Sequence, residues 1–249
     1  MNSAQIGIIG GPDGPTAIFA SPDFAGGLAA RIFTGSLGPV VALIALAAVI
    51  AYFIGNISPS TLLARARGID IKKEGSGNAG TTNALRVMGK KAAIITLVVD
   101  ILKGVVSVLI GWGLAGQLGA MVCVLFVMLG HVWPLLLKFK GGKGIATSFG
   151  ALLALDPLLA LIELAIVAAV TLVTKRMSAG SIAGLVLLPV ICIFRQPAEF
   201  VVISIILAVI MLIKHKANII RIIHGEEPKL SILDKKSSDS ERSDKEEEQ

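Results

Sequence analysis

An all-α polytopic membrane bundle of about seven transmembrane segments, N-terminus outside and C-terminus inside, is predicted by three observations. Apolar residues make up 54% of the chain, whereas charged residues make up 16% and are gathered into a few short stretches. A soluble domain carries about a quarter of its residues as charges and spreads them over its surface. The mean hydropathy is +0.81, with only 5% aromatic residues, so Leu, Ile, Val and Ala supply the apolar mass. Finally, the basic residues fall into alternate loops between the apolar runs, as loops on one side of a membrane do.

A helix needs about 20 apolar residues to cross the hydrocarbon. Pro39 to Ile57 is the first such run. Ala92 to Trp112 and Gly116 to Leu137 follow, separated by a short glycine-containing turn. Ile145 to Leu155 is shorter and stops at Asp156-Pro157, because the residue before proline is pushed out of helical geometry. Leu158 to Thr174, Ile182 to Phe194 and Phe200 to Ile213 complete the set. With the N-terminus outside, the inside loops carry Arg65, Arg67, Lys72, Lys73, Arg86, Lys90 and Lys91, then Lys138, Lys140 and Lys143. Lys175, Arg176, Lys214, Lys216 and Arg221 also fall inside, leaving Arg31 and Arg195 outside. The balance requires Ile145 to Leu155 to count as a span.

Three divisions follow: residues 1–36, a Gly- and Pro-rich extension; residues 37–230, the membrane domain; and residues 231–249, a charged cytoplasmic tail expected to be disordered. Ile6 to Phe19 (IGIIGGPDGPTAIF) resembles a short segment of the membrane subunit of sodium-pumping decarboxylases. Nothing else in the chain matches that family, so the stretch reads as a leader or appendage. It lacks a basic region ahead of its apolar residues, so a cleaved signal peptide is not expected. The net charge of +6 lies in membrane-proximal loops and does not indicate nucleic acid. Cys123 and Cys192 stand alone in different apolar runs and read as buried thiols, with no metal site implied.

Every unusual polar cluster lies on the predicted inside face. Gly75-Ser76-Gly77-Asn78-Ala79-Gly80-Thr81-Thr82-Asn83, followed by Arg86, has the composition of an anion cradle. Its glycines let backbone N–H groups converge, and Ser, Thr and Asn add neutral donors. Gly141-Gly142-Lys143-Gly144 lacks the spacing and the Ser/Thr of a P-loop. A lysine between glycines at a helix start is nonetheless a good phosphate ligand. Ser178 to Ser181 opens an inside helix, where by itself it is an N-cap. His215 and Asn218 share a helical face just past the last span. Asp100 and Lys103 share a face inside the second span, and His131 lies in the last turns of the third. Ionised groups in a bilayer cost about 2.5–3.5 kcal/mol each, so they pair or serve function.

These stretches together resemble the bacterial acyl-phosphate:glycerol-3-phosphate acyltransferases. The match runs through GNISPSTLLARARGIDIKKEGSGNAGTTNALR, VVDILKG, GHVWPLLLKFKGGKGIAT, MSAGS and HKANIIRIIHGEEPK, in the family's order, from about Tyr52 to Lys229. Thr81 stands where alanine is common, and Pro228 interrupts the last basic stretch. The resemblance implies a cytoplasmic-face enzyme of the bacterial cell membrane that makes lysophosphatidic acid, the first step of phospholipid synthesis. Its substrates would be acyl phosphate and glycerol 3-phosphate, it would need no cofactor or metal, and its partners would be membrane lipid and the enzyme producing acyl phosphate. By the family pattern Ser76, Arg86, Lys143, Ser181 and His215 are catalytic. Gly75, Asn78, Thr82, Asn83, Lys103, Gly141, Gly142, Ser178 and Asn218 bind substrate or shape the loops. The inside loops carry no Ser-His-Asp set, which suits an activated donor attacked directly, with His215 or the donor phosphate as base. The rival reading, a membrane transporter of a small anionic solute, calls for midplane polar groups in paired halves, and no internal repeat is visible.

Overall fold

The computed structural model describes residues 37–230, and the predicted extension and charged tail lie outside the described residues. The chain divides into two units, residues 1–43 and 44–249. Of the first, only the opening turns of one helix are described, and the features below belong to the second.

Among the described residues the structure is all helix. In order, α1 is Leu37–Gly55, α2 Pro59–Arg65, α3 Thr81–Met88, α4 Lys90–Val132, α5 Ile145–Leu155, α6 Pro157–Thr174, α7 Met177–Arg195, α8 Ala198–Lys214 and α9 Lys216–Ile223. Four helical stretches are long and apolar enough to cross a membrane: Gly38–Arg65, Lys90–Leu137, Pro157–Thr174 and Met177–Arg195. A fifth is added if α8 and α9, bent by 63° at His215, count together. Outward faces carry Leu46, Val49, Phe53, Leu102, Leu109, Leu161, Val190, Phe194, Val202 and Val209, all exposed. So broad an apolar exterior is stable against lipid, not water.

The first predicted span ends earlier than its apolar run. Asn56 closes α1 by donating its backbone N–H and Nδ2 to Tyr52 O, at 3.1 and 2.7 Å. Pro59 then starts α2 in the first turn, where its missing N–H costs nothing. The predicted break between the second and third spans lies within α4, at Ala115 (φ −142°, ψ 22°) and Gly116 (φ 62°, ψ −152°). A side chain at Gly111 would sit 2.5 Å from Gly119 O and 2.8 Å from Ala120 N. In a straight helix those positions lie about 12 Å apart. Here the chain doubles back, and α4 is a hairpin of two limbs. The second limb stops at Trp133, because Pro134 cannot continue the hydrogen-bond ladder.

Small residues set the helix crossings. Gly130 of the second limb lies against Tyr52 and Gly55 of α1, where an added Cβ would stand 3.1 Å from Gly55 Cα. Gly104 of the first limb lies against Thr147 and Ala151 of α5, with an added Cβ 2.6 Å from Ala151 N. Gly150 meets Ile101 in the same seam, and Gly180 of α7 meets Val167 and Thr171 of α6. In lipid, association rests on this packing, since there is little hydrophobic gain between helices. Val108, Ala120, Val124, Met128, Leu159, Leu185, Leu188 and Leu207 fill the interior. Cys123 and Cys192 are both buried and unpaired, and Cys123 Sγ donates to Ala47 O at 3.5 Å.

Candidate active site

The first wall of the site is the loop before α3. Gly75 and Gly77 hold φ of +59° and +68°, which side chains rarely adopt, and this lets the loop curl on itself. Asn83, buried in α3, locks the curl. Its Oδ1 accepts the Ser76 backbone N–H at 2.8 Å, and its Nδ2 donates to Ile71 O at 3.1 Å and Glu74 O at 3.0 Å. A side chain on Gly75 would collide with the Asn83 carboxamide. One turn further on, Arg86 faces the same cavity as Ser76, Asn78, Thr81 and Thr82.

The second wall is the loop from α4 to α5. Gly141 and Gly142 donate backbone N–H groups to Val132 O and His131 O, at 3.2 and 3.1 Å, so the loop folds back on the helix it leaves. Gly142 is packed against Ala79 and the His131 ring, with no room for a side chain. Gly144 (φ +85°) then turns the chain into α5, leaving Lys143 ahead of that helix's N-terminus. The Lys143 ammonium donates to Asn218 Oδ1 of α9. Burial pushes its pKa down to about 8, with Arg221 and Arg86 adding to the shift and Glu227 opposing it.

The third wall joins α7 to the C-terminal segment through one carboxylate. Glu227 Oε1 accepts from Ser178 Oγ at 2.7 Å and from Asn218 Nδ2 at 2.6 Å, while Oε2 accepts from Arg221 Nε at 2.7 Å. Burial raises the Glu227 pKa, but the hydrogen bonds from Ser178, Asn218 and Arg221 outweigh it and hold the group below the usual range. Ser181, one turn after Ser178, donates to Met177 O at 3.0 Å. His215 is 2% exposed, and its Nδ1 lies 2.8 Å from Met211 O. A carbonyl only accepts, so Nδ1 carries the proton and Nε2 keeps its lone pair.

These walls enclose a cavity of about 440 Å³. Its lining includes the polar residues Ser76, Arg86, Lys143, Ser181, His215 and Asn218 and the apolar residues Leu152, Val167, Leu185, Leu188 and Leu207. A second recess of about 460 Å³ shares Ser76, Asn78, Lys143, Asn218 and Arg221 and adds Gly141, Lys214 and Lys216. The lining combines cationic and neutral hydrogen-bond donors with a broad apolar surface, a composition suited to an amphiphile with an anionic head.

The model of the family described as Glycerol-3-phosphate acyltransferase matches residues 45–225. This chain belongs to that family. A glycerol-3-phosphate acyltransferase of Thermoanaerobacter pseudethanolicus is 48% identical over 187 residues, which cover 74% of this chain and 94% of the relative. One from Clostridioides difficile is 42% identical over 190 residues, covering 74% and 93%. Among solved structures, PlsY (YgiH), an integral membrane glycerol 3-phosphate acyltransferase in its glycerol 3-phosphate form, superposes with a TM-score of 0.72. Identity to it is 29%, over 77% of this chain and 97% of that one. The chain is thus an acyltransferase and an integral membrane protein.

Most site residues expected of this acyltransferase line one or both recesses. Three do not. Gly75 and Gly142 lie behind the lining, Gly75 shaping its loop and Gly142 packed beneath Lys143. Lys103 also stands behind the wall: it pairs with Asp100 Oδ1 at 2.7 Å, donates to Ile57 O at 2.7 Å, and lies 2.6 Å from His131 Nδ1. Its neighbours are protein groups. Nor is Ser178 a helix cap, since Arg176 holds that position and the Ser178 hydroxyl goes to Glu227. Glu227, Arg221 and Glu163 also line the cavity; sequence reasoning placed Arg221 and Glu227 in the last polar stretch but chose none of the three as site residues. Glu163 could have been flagged, because a carboxyl inside an apolar helix marks function by default.

Proposed function

We propose that this acyltransferase moves an acyl group from acyl phosphate to the 1-hydroxyl of sn-glycerol 3-phosphate, giving lysophosphatidic acid and inorganic phosphate, as the first step of phospholipid synthesis. The observation that carries the reading is that Ser76, Arg86, Lys143, Ser181, His215 and Asn218 line one cavity together with a broad apolar surface. Both substrates carry phosphate, and Lys143 and Arg86 supply the charge to hold it. The adjoining recess, with Lys214, Lys216 and Arg221, offers room for a second phosphate.

An acyl phosphate is a mixed anhydride with a good leaving group, so alignment and charge stabilisation suffice. The glycerol hydroxyl attacks the acyl carbonyl directly, the C–O bond to phosphate breaks, and no acyl-enzyme forms. Ser76 or Ser181 aligns the hydroxyl or donates to the developing oxyanion. The hydroxyl proton passes to His215 Nε2 or to the departing phosphate. The free Nε2 lone pair, left by the Nδ1 bond to Met211 O, supports the first option. Asn78, Thr82 and Asn83 shape the phosphate loop.

Counting the two limbs of α4 separately, and α5 as a short segment, gives seven spans, with residues 37–230 as the catalytic domain. The lysine and arginine distribution supports an outside N-terminus, an inside C-terminus and a site on the cytoplasmic face of the bacterial cell membrane. The enzyme that makes acyl phosphate would deliver its product there. The test is acyl transfer by purified protein in detergent, offered labelled glycerol 3-phosphate with palmitoyl phosphate, palmitoyl-CoA or palmitoyl-ACP. Product from acyl phosphate alone, abolished by Lys143→Ala, is expected. No product from any donor, from protein shown to be folded, overturns the reading and favours transport.

A further inference from the structure

The apolar lining of the cavity contains a carboxyl group that the proposed reaction does not use. Glu163 is the sole charged residue of the 18-residue helix α6. It is 9% exposed and lines the cavity beside Leu164, Val167, Leu185 and Leu188. Its Oε1 is buried, and no described residue gives it a hydrogen bond. No salt bridge among the described residues includes it either. An unpaired polar group in such surroundings is costly, and the cost is relieved when a bound molecule supplies the partner.

Room for the carboxyl depends on a glycine. A side chain at Gly184 of α7 would stand 2.7 Å from Glu163 Oε2 and 2.9 Å from Val167 Cγ2. Gly184 lies three residues beyond Ser181, a rise of about 4.5 Å along the helix. Glu163 thus faces α7 about one helical turn beyond Ser181, and both residues line the cavity.

Resting on the acyl-transfer reading above, we propose that Glu163 is a specificity-determining residue that selects acyl donors carrying a hydroxyl group a few carbons from the carbonyl. A hydroxyl both donates and accepts, so it satisfies Oε1 whether or not the carboxyl holds a proton. An unsubstituted chain leaves that oxygen unpaired. A site built around a hydrogen bond discriminates against the analogue lacking it far more strongly than an apolar pocket discriminates by size.

The experiment compares kcat/KM for 3-hydroxymyristoyl phosphate and myristoyl phosphate, with glycerol 3-phosphate as acceptor, in the full-length protein. The wild type is expected to favour the hydroxylated donor by about tenfold or more, the scale of one hydrogen bond to a charged or buried group. Glu163→Leu should abolish that preference by raising use of the plain chain and lowering use of the hydroxylated one. Glu163→Gln, which keeps a hydrogen-bonding end, should retain it. If Glu163→Leu does not fold, Gly184→Ala carries the test, because it displaces the carboxyl without changing its chemistry and should reduce the preference. A ratio that is the same in wild type and in either of these two variants, with both donors used, overturns the assignment. No product from either donor in the wild type overturns the acyl-transfer reading itself, and the assignment with it.

Discussion

The Ser178 hydroxyl donates to Glu227 Oε1 at 2.7 Å, tying the first turn of α7 to a segment 49 positions later. The same carboxylate takes hydrogen bonds from Asn218 and Arg221. One acidic side chain thus sets the positions of three groups that line the cavity. Glu227→Ala leaves Ser178 and Asn218 buried without an acceptor and should lower acyl transfer by more than about tenfold, because the network acts as a unit. Initial rates at saturating substrate measure it, and an unchanged rate would show that the cluster is dispensable. The stability that Glu227 contributes should be fully present above the ordinary glutamate pKa of about 4.3 and lost as pH falls through its depressed folded value.

The seam between α5 and the first limb of α4 tolerates no added volume. An added Cβ at Gly150 would stand 2.8 Å from the Ile101 carbonyl carbon, so the helices must part to admit it. Gly150→Ala should destabilise the protein by about 1–3 kcal/mol, the cost of overpacking a filled interface. Thermal unfolding in detergent reads this out. A melting temperature equal to that of the wild type would mean that the seam is looser than its backbone contacts indicate.

The apolar runs and the prolines were enough to locate the long apolar helices, but not the short α2, α3 and α9, because the existence of a long helix depends on local composition and local breaks. Asp156 shows this well: it ends α5, and it caps α6 by accepting from Leu158 N and Leu159 N at 3.0 Å each. The curl of the loop before Asn83 was also legible, since its glycines and polar side chains are contiguous. What stayed hidden depends on contacts between distant positions. The pairing of Lys103 with Asp100 was one of two readings open from their shared helical face, but its further partners Ile57 and Gly55, 46 and 48 residues away, were not visible. Ser178 looked like a cap because its acceptor lies 49 residues on. Periodicity and spacing carry no information about such pairs. The early end of α1 escaped notice because Ile57 is apolar, while the Asn56 side chain that closes the helix gives only a local, ambiguous signal.

Lys103 and Asp100 form a buried pair at 2.7 Å, so removing one partner should hurt more than removing both. Lys103→Met strands a carboxylate inside the bundle and should cost about 3–5 kcal/mol. Adding Asp100→Asn should recover part of that loss. A double-mutant cycle on thermal stability in detergent isolates the coupling. Strictly additive losses would show that the pair is not energetically linked, and that Lys103 acts through its bonds to Ile57 O and Gly55 O instead.

Lys143 gives the pH prediction with the clearest sign. Its pKa of about 8 means that the ammonium loses its proton just above neutrality, because burial penalises the charged form. If that charge holds a substrate phosphate, kcat/KM for glycerol 3-phosphate should be highest below pH about 8 and fall as pH rises through it, since kcat/KM reports the free enzyme. Bound phosphate stabilises the ammonium, so the alkaline fall in kcat should come at higher pH than the fall in kcat/KM. Lys143→Arg keeps the charge at every accessible pH and should remove the alkaline limb, even where its different shape lowers the rate. An unchanged alkaline limb in that variant would assign the titration to another group and withdraw Lys143 from phosphate binding.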